Sequence, residues 1–350
     1  MDFIKKEHKR FSKKDYKSFI LGADIGGTNA NFGIFGVKNN FPKLLVSYHF
    51  ESKKLKGIYS AINKVLGDAK TDYGVNITKA CFGVAGAVSP KRDFVRLTNA
   101  ELDLSTKKLL AKTKLRKAAL VNDFEAVGYG INLLSKNDVR TIKRAKKMPK
   151  APIVIVGAGT GLGKTTLIYD EHYKAYIPIN SEAGHSDFAV QTLQELELIN
   201  FIKKYKKINK VNYEEILSGR GLVNIYSFLR KNKGFKQTKY TKVIDKSKNK
   251  PELISKYKKI DKTCKTAFEI FKTAYANFAK NMALDALAFG GVYITGGIAP
   301  KNMEIFDNEF VNIFECSPKM GYVLKKMPIY LILNYDVGLL GAGFFGARQK

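Results

Sequence analysis

The chain has 350 residues, long enough for two domains, since single cores stop growing near ~250–300 residues. Hydrophobic residues make up 45% and 29 are glycine, which fits an α/β protein with many tight turns, and no apolar run reaches the ~18 residues of a membrane span. Lys and Arg number 61 against 31 acids, a net charge of +30, but the lysines are scattered over surface stretches without a zinc-finger, RNP-type or helix-turn-helix pattern, so no specific nucleic-acid partner is expected.

Residues 1–18 are basic and polar, without the apolar core of a secretory signal, and read as a solvated tail or short surface helix. The organising stretch follows, Leu21–Gly36 (LGADIGGTNANFGIFG), an apolar strand ending in Asp24, a glycine turn and a second strand. Gly26 and Gly27 lack a Cβ, so the backbone can take positive φ and approach an anion, with Thr28 and Asn29 adding short donors. Asp24 is placed to hold Mg²⁺ through water, because that ion keeps most of its hydration shell. An ordinary Gly-containing hairpin turn explains the same residues.

A third strand is expected near Leu44–Phe50, a helix near Gly57–Asp68, a strand at Ile77–Ala85, a strand pair around Asp93–Asn99 and a helix over Leu104–Arg116. The short strand Ala118–Val121 then runs into Asn122, Asp123, Phe124 and Glu125, with a helix beginning at Ala126. A carboxylate at the carboxyl end of a strand is where open α/β sheets place catalytic groups. Asp123 is equally suited to cap that helix.

Lys136–Lys150 reads as a surface connection, with a domain boundary at its start. Beyond the apolar run Pro152–Val156 comes a second glycine loop, Gly157–Gly163 (GAGTGLG), which offers Gly159, Thr160, Gly161 and Gly163 to a phosphate. Neither common nucleotide motif fits: Ala158 stands where the P-loop needs glycine, and Leu162 where the Rossmann fingerprint ends in one. Ile177–Asp187 then gathers Glu182, His185 and Asp187 in one loop. One His with two acids is a poor transition-metal set but suits a polyhydroxy ligand. His8, His49 and His172 read as surface residues.

Further on lie a helix over Thr192–Tyr205, Glu214 before Leu217–Gly221 (LSGRG), a mobile or helical Lys-rich insertion at Lys231–Lys262, and a helical apolar stripe from Phe268 to Phe289. The strand Gly291–Thr295 ends in Gly296 and Gly297, able to admit a base or ribose, and the strand Ile329–Leu333 precedes a Gly-rich turn at Gly338–Gly343 and a short terminal helix. Cys81, Cys264 and Cys316 are far apart and read as small buried apolar residues in a reducing compartment.

Taken in order, DIGGTN, VNDFEA, GAGTGLG, SEAGH, LSGRGLVNIY, GGVYITGGIAP and PIYLI…GLLGAG resemble the bacterial-type glucokinases of the hexokinase, actin and heat-shock ATPase superfamily. The resemblance implies an α/β, two-domain, actin-like (ribonuclease H-like) sugar kinase fold with an interdomain cleft. It divides the chain into the tail 1–18, a small domain 19–134 plus 335–350, and a large domain 135–334. It implies ATP-dependent phosphorylation of D-glucose at the 6-hydroxyl, the first step of glycolysis, with ATP and Mg²⁺, in a cytoplasmic homodimer. Asp123 resembles the catalytic base, and Asn99, Asn122, Glu182, His185 and Glu214 fall on the sugar contacts. Asp24 to Asn29 and Gly159 to Gly163 fall on the phosphate loops, and Gly296 and Gly297 on the nucleotide side. The chain departs from the family pattern at Leu102, Ala183 and Arg220, beside the implied sugar pocket. A broader hexokinase, a polyphosphate-using sugar kinase and a sugar-sensing regulator remain as alternatives.

Overall fold

A computed structural model of the chain describes residues 2–27, 29–52, 55, 57–96, 103–232 and 234–349. The strands are β1 (Phe3–Glu7), β2 (Ser18–Ile25), β3 (Asn29–Lys38), β4 (Phe41–Glu51), β5 (Lys79–Val84), β6 (Phe94–Arg96), β7 (Asp103–Ser105), β8 (Lys117–Asn122), β9 (Val139–Lys143), β10 (Ile153–Ala158), β11 (Leu162–Asp170), β12 (Ala175–Ser181), β13 (Gly291–Thr295) and β14 (Ile329–Ile332). The helices are α1 (Ile58–Tyr73), α2 (Thr106–Lys112), α3 (Asp123–Gly130), α4 (Leu193–Lys206), α5 (Gly219–Lys231), α6 (Lys239–Lys246), α7 (Lys250–Tyr257), α8 (Lys262–Ala286), α9 (Asn308–Glu315), α10 (Gly321–Leu324) and α11 (Val337–Arg348).

Two six-stranded sheets carry the fold, in the orders β1-β4-β3-β2-β5-β8 and β12-β11-β10-β13-β14-β9. The first holds an antiparallel β4-β3-β2 meander followed by parallel β5 and β8. The second repeats the plan, with β10 antiparallel to β11 and parallel to β13, and β13 parallel to β14. One extra edge strand is added to each, β1 and β9. In both halves a hairpin returns to a strand whose exit faces a parallel neighbour, and each glycine motif lies at such an exit.

The chain divides into two compact units, residues 1–138 with 169–180 and 334–350, and residues 139–168 with 181–333. Residues 169–180, which the sequence reading placed in the large domain, cluster with the first unit. Each unit has its own core. In the first, Phe32, Phe82, Leu120 and Val65 are among the residues fully removed from water. In the second, β10 and β13 pack on α8 through residues such as Phe271, Tyr275 and Phe278, the apolar stripe expected there. Burying such a side chain contributes about 1.5–3 kcal/mol.

Several local expectations are corrected. The N-terminal tail includes a strand: β1 pairs with β4 in the register Phe3↔Phe50, the two rings lying 5.2 Å apart, and Lys5 is ion-paired to Asp72 at 2.8 Å. Two aromatic anchors, Phe3 and Phe11, outweigh the basic composition that suggested solvation, Phe11 stacking on Tyr73. The Lys136–Lys150 connection contains β9, whose Lys143 is buried. Its Nζ donates to the carbonyls of Leu324, Lys325 and Met327 at the frayed end of α10 and meets Glu315 at 3.0 Å. Carbonyls at and just past a helix C-terminus carry partial negative charge, and with the Glu315 carboxylate they offset the cost of burying the cation.

The Lys-rich insertion is helical, α6 and α7 being anchored by buried Ile244 and Ile254. The Gly338–Gly343 stretch is not a turn but the first half of α11. Its glycines let α3 approach: a Cβ on Gly341 would overlap the carbonyl of Ala126, and one on Gly130 the carbonyl of Val337. Cys316 is exposed, unlike buried Cys81 and Cys264, and all three are free thiols. No described helix is long and apolar enough to cross a membrane.

Candidate active site

The first unit assembles Asp24, Asn122 and Asp123. β8 delivers Asn122 as the N-cap of α3, its Oδ1 accepting from Phe124 N and Glu125 N at 2.9 and 3.2 Å, while its Nδ2 donates to Gly86 O. The cap is therefore Asn122, not Asp123, and α3 begins three residues before the expected Ala126. Asp123 is the first helical residue, half-buried, with Oδ1 accepting Phe124 N–H at 2.9 Å. Behind it, Glu125 is buried and gripped by the two terminal guanidinium nitrogens of Arg92 at 2.6 and 2.9 Å, and Asn180 donates to the same carboxylate.

Asp24 is the penultimate residue of β2, half-buried, with its carboxylate against Gly338 of α11. Burial, with the negative charges of Asp123 and Asp336 second, pushes its carboxyl up to about 7. The hairpin turn that follows is closed by Gly26 N–H to Asn29 O at 2.9 Å, and Ser52 Oγ donates to Gly26 O. Gly26 does not use positive φ, and a Cβ there would meet Asn29 O at an ordinary 3.5 Å. The positive φ expected at this position is therefore not used. Thr28 and Asn99 lie outside the described residues.

Sequence reasoning missed a polar row beside Asp24. Strand register sets Asp24 opposite Asn31 and Asn31 opposite His49. His49 Nδ1 lies 3.1 Å from Asn31 Oδ1 and 3.9 Å from Asp336, and its Nε2 reaches Ser47 Oγ, which in turn meets His8. His8 and His49 are thus members of one network rather than isolated surface residues. Its sequence signal was the spacing Asn29-x-Asn31, two residues of one strand face. A cavity of about 500 Å³ is lined by Asn29, Asn31, His49, Glu51, Tyr335 and Asp336, with Phe3 closing one side.

The second unit assembles the other glycine loop. Gly159 N–H donates to Gly161 O, and Gly159 O accepts from Gly219 N at the start of α5, both at 2.8 Å. Thr160 is exposed at the loop's tip and Gly163 lies in the β10–β11 pairing. Gly296 sits at φ +90°, and a Cβ there would strike the Ala158 carbonyl, so this position requires glycine for both reasons. A Cβ on Gly159 would lie 3.6 Å from Gly297 N, which brings the two glycine turns side by side, and Gly297 faces open space. Lys164, which invited the P-loop comparison, is buried on β11 and directed to Asp285 at 3.4 Å.

Glu214 ties this loop to the first turn of α5. Its Oε2 accepts Leu162 N–H at 2.9 Å and its Oε1 accepts from Arg220 at 2.8 Å. Gly184, between Glu182 and His185, packs so closely on the Leu162 carbonyl that no Cβ would fit. Glu182 and His185 are exposed, 3.9 Å apart, and Nδ1 of His185 lies 3.4 Å from Asn212. Leu162 is therefore the shared neighbour: its N–H donates to Glu214, and its carbonyl packs against Gly184 of the turn that carries Glu182 and His185.

Residues 21–349 match the family model described as Glucokinase. A glucokinase from Nostoc sp. is 33% identical over 95% of this chain and 99% of its own length, and one from Photorhabdus laumondii is 31% identical over 94% and 97%. Among solved structures, a glucokinase from an Antarctic psychrotroph superposes with a TM-score of 0.78 at 24% identity, covering 95% of this chain and 99% of that one. A ROK family glucokinase from Streptomyces griseus, in complex with glucose and AMPPNP, reaches 0.64 at 18% identity, covering 95% and 100%. These two share the α/β fold with its two sheets. With a family model spanning most of its length and relatives above 30% identity along it, the chain belongs to the glucokinase family.

Proposed function

We infer that the protein is an ATP-dependent glucokinase that forms glucose 6-phosphate on an actin-like ATPase fold. The observation that carries this reading is Asp123 at the β8–α3 junction, with its backbone set by the Asn122 cap, inside a chain that matches the glucokinase family from residue 21 to 349. The strand order repeated in the two sheets supports the duplicated fold.

Phosphoryl transfer needs positioning and charge stabilisation more than covalent help. Asp123 accepts the proton of the sugar's 6-hydroxyl as that oxygen attacks the γ-phosphorus of ATP; the bond from phosphorus to the bridging oxygen breaks and ADP leaves. The carboxylates of Glu182 and Glu214 accept hydrogen bonds from ring hydroxyls, with His185, Asn122 and Asn99 completing the set. Such bonds contribute on the order of 1.5–3 kcal/mol each. We assign the two glycine turns, the one that begins at Gly26 and the one from Gly159 to Gly163, to the phosphates of ATP, and the open space over Gly297 to the nucleoside.

Mg²⁺ fits Asp24, a carboxylate whose crowding by Asp123 and Asp336 a divalent cation would relieve. Among the described residues no group of three His, Cys, Asp or Glu could cage a metal, which suits an ion held through water and substrate phosphates. Bound there, it would neutralise charge on the phosphates. The three free thiols fit a reducing cytoplasm.

The test is ADP release from Mg·ATP with glucose, mannose, fructose, N-acetylglucosamine or no sugar. Turnover that requires glucose supports the reading, and the other sugars measure its breadth. A folded protein that turns over none of them would overturn it.

A further inference from the structure

Glu214 is held from two sides inside the second unit. Leu162 N–H donates to one carboxylate oxygen at 2.9 Å and Arg220 Nη2 to the other at 2.8 Å. There is little slack around it, since a Cβ on Gly161 would come 2.5 Å from Oε2. The backbone of the same turn is tied to the same loop, Gly219 N–H donating to Gly159 O. The two partners differ in exposure: the side chain of Glu214 is 16% accessible and that of Arg220 is 62%.

An exposed ion pair in isolation contributes little, because water screens it and two long side chains must be immobilised. This one differs in that the carboxylate is mostly buried and already anchored at its other oxygen. With Leu162 alone, Glu214 can pivot about the Oε2 contact; with Arg220 as well, both oxygens have assigned places. Each oxygen retains a second lone pair for a further donor.

We propose that Arg220 is a positioning residue for sugar recognition, holding Glu214 in the one rotamer that both supports Leu162 and presents its carboxylate to a sugar hydroxyl. The proposal rests on the reading of Glu214 as a sugar contact. It makes the first turn of α5 a determinant of sugar affinity, and couples that affinity to the order of the Gly157–Gly163 loop through one carboxylate.

The experiment compares Arg220→Ala, Arg220→Lys and Glu214→Gln, measuring kcat and the KM values for glucose and ATP, with thermal melting as a control. For Arg220→Ala the expected result is a rise of about fivefold in glucose KM, the scale of one well-placed ion pair, with kcat and ATP KM within about twofold. Arg220→Lys recovers part of the loss, because a single donor contacts Oε1, and neither variant melts more than about 2 °C below the parent. Unchanged glucose KM in Arg220→Ala, an equal rise in both KM values, or no rescue by Lys would each overturn the proposal. If Glu214→Gln raises glucose KM while Arg220→Ala does not, this proposal alone fails. If Glu214→Gln leaves it unchanged, the assignment of Glu214 fails as well.

Discussion

A Cβ placed on Gly338 would lie 2.8 Å from Oδ2 of Asp24, so the first turn of α11 rests directly on the carboxylate of the penultimate residue of β2. The atom in the way is the end of a side chain, not backbone, and can move aside. Gly338→Ala is therefore expected to leave the fold intact, or even to gain up to about 1 kcal/mol of helix propensity, while displacing Asp24. The measurement is the Mg²⁺ concentration giving half-maximal activity, which should rise several-fold as kcat falls. An unchanged Mg²⁺ dependence would show that Asp24 does not act on the metal from this position.

The raised carboxyl of Asp24, at about 7, makes stability depend on pH with a definite sign. Below about pH 4 both the folded and the unfolded chain hold the proton, so the group discriminates between neither. As pH rises toward 7 the unfolded chain has released its proton while the folded chain retains it, and stability falls over that window. Above 7 the folded protein carries the full cost of the charge, tempered by the residue's remaining accessibility. Asp24→Asn should thus be more resistant to urea than the parent at pH 8, with the difference shrinking at pH 5. Equal midpoints at both values would contradict the crowding of Asp24 by Asp123 and Asp336.

Asn122 and Asp123 are adjacent but are expected to fail in different ways. Asp123→Ala removes the proposed base and should lower kcat by about 10²–10⁴-fold, with ATP affinity and melting temperature nearly unchanged because the Asn122 cap remains. Asn122→Ala removes the cap and should cost about 1 kcal/mol of stability, seen as a fall in urea midpoint. A large loss of stability in Asp123→Ala would show that the carboxylate is structural.

Arg92 and Glu125 form the support under that helix. Glu125 is 1% accessible, so Arg92→Ala strands a carboxylate in the protein beside the Asn180 amide. Removing one partner of a buried pair costs about 3–5 kcal/mol, and the solvent-facing side of Arg92 places the expected loss at the low end. Arg92→Lys keeps the charge but not the two-pronged geometry and should fall between. Urea denaturation of the two variants checks both the size and the order.

Much of the candidate site was legible because it is local. A strand ending in Asp24 before glycines, or in Asn122 and Asp123 before a helix, is a pattern within about ten residues, and backbone geometry alone places such groups at strand exits. The same holds for Gly296, where the strand Gly291–Thr295 was read with its observed bounds. Where local composition misled, a distant partner was responsible. The basic N-terminus became a strand because Phe3 meets Phe50, and Lys143 is inside because its ammonium group finds three carbonyls, at residues 324, 325 and 327, and the Glu315 carboxylate there.

By itself, the sequence determined the two glycine loops, the junction that carries Asp123 and the helical stripe of α8, since each follows from periodicity or from a motif's own spacing; the family entered as a resemblance carried by the order of seven motifs. Only the tertiary structure decided that Asp24, Asn31 and His49 form one row, that Leu162 joins Glu214 to the turn carrying Glu182 and His185, and that Arg220 completes the grip on Glu214. Those relationships depend on strand register and on which loops meet. A shift of one residue in register would move every such side chain to the opposite face.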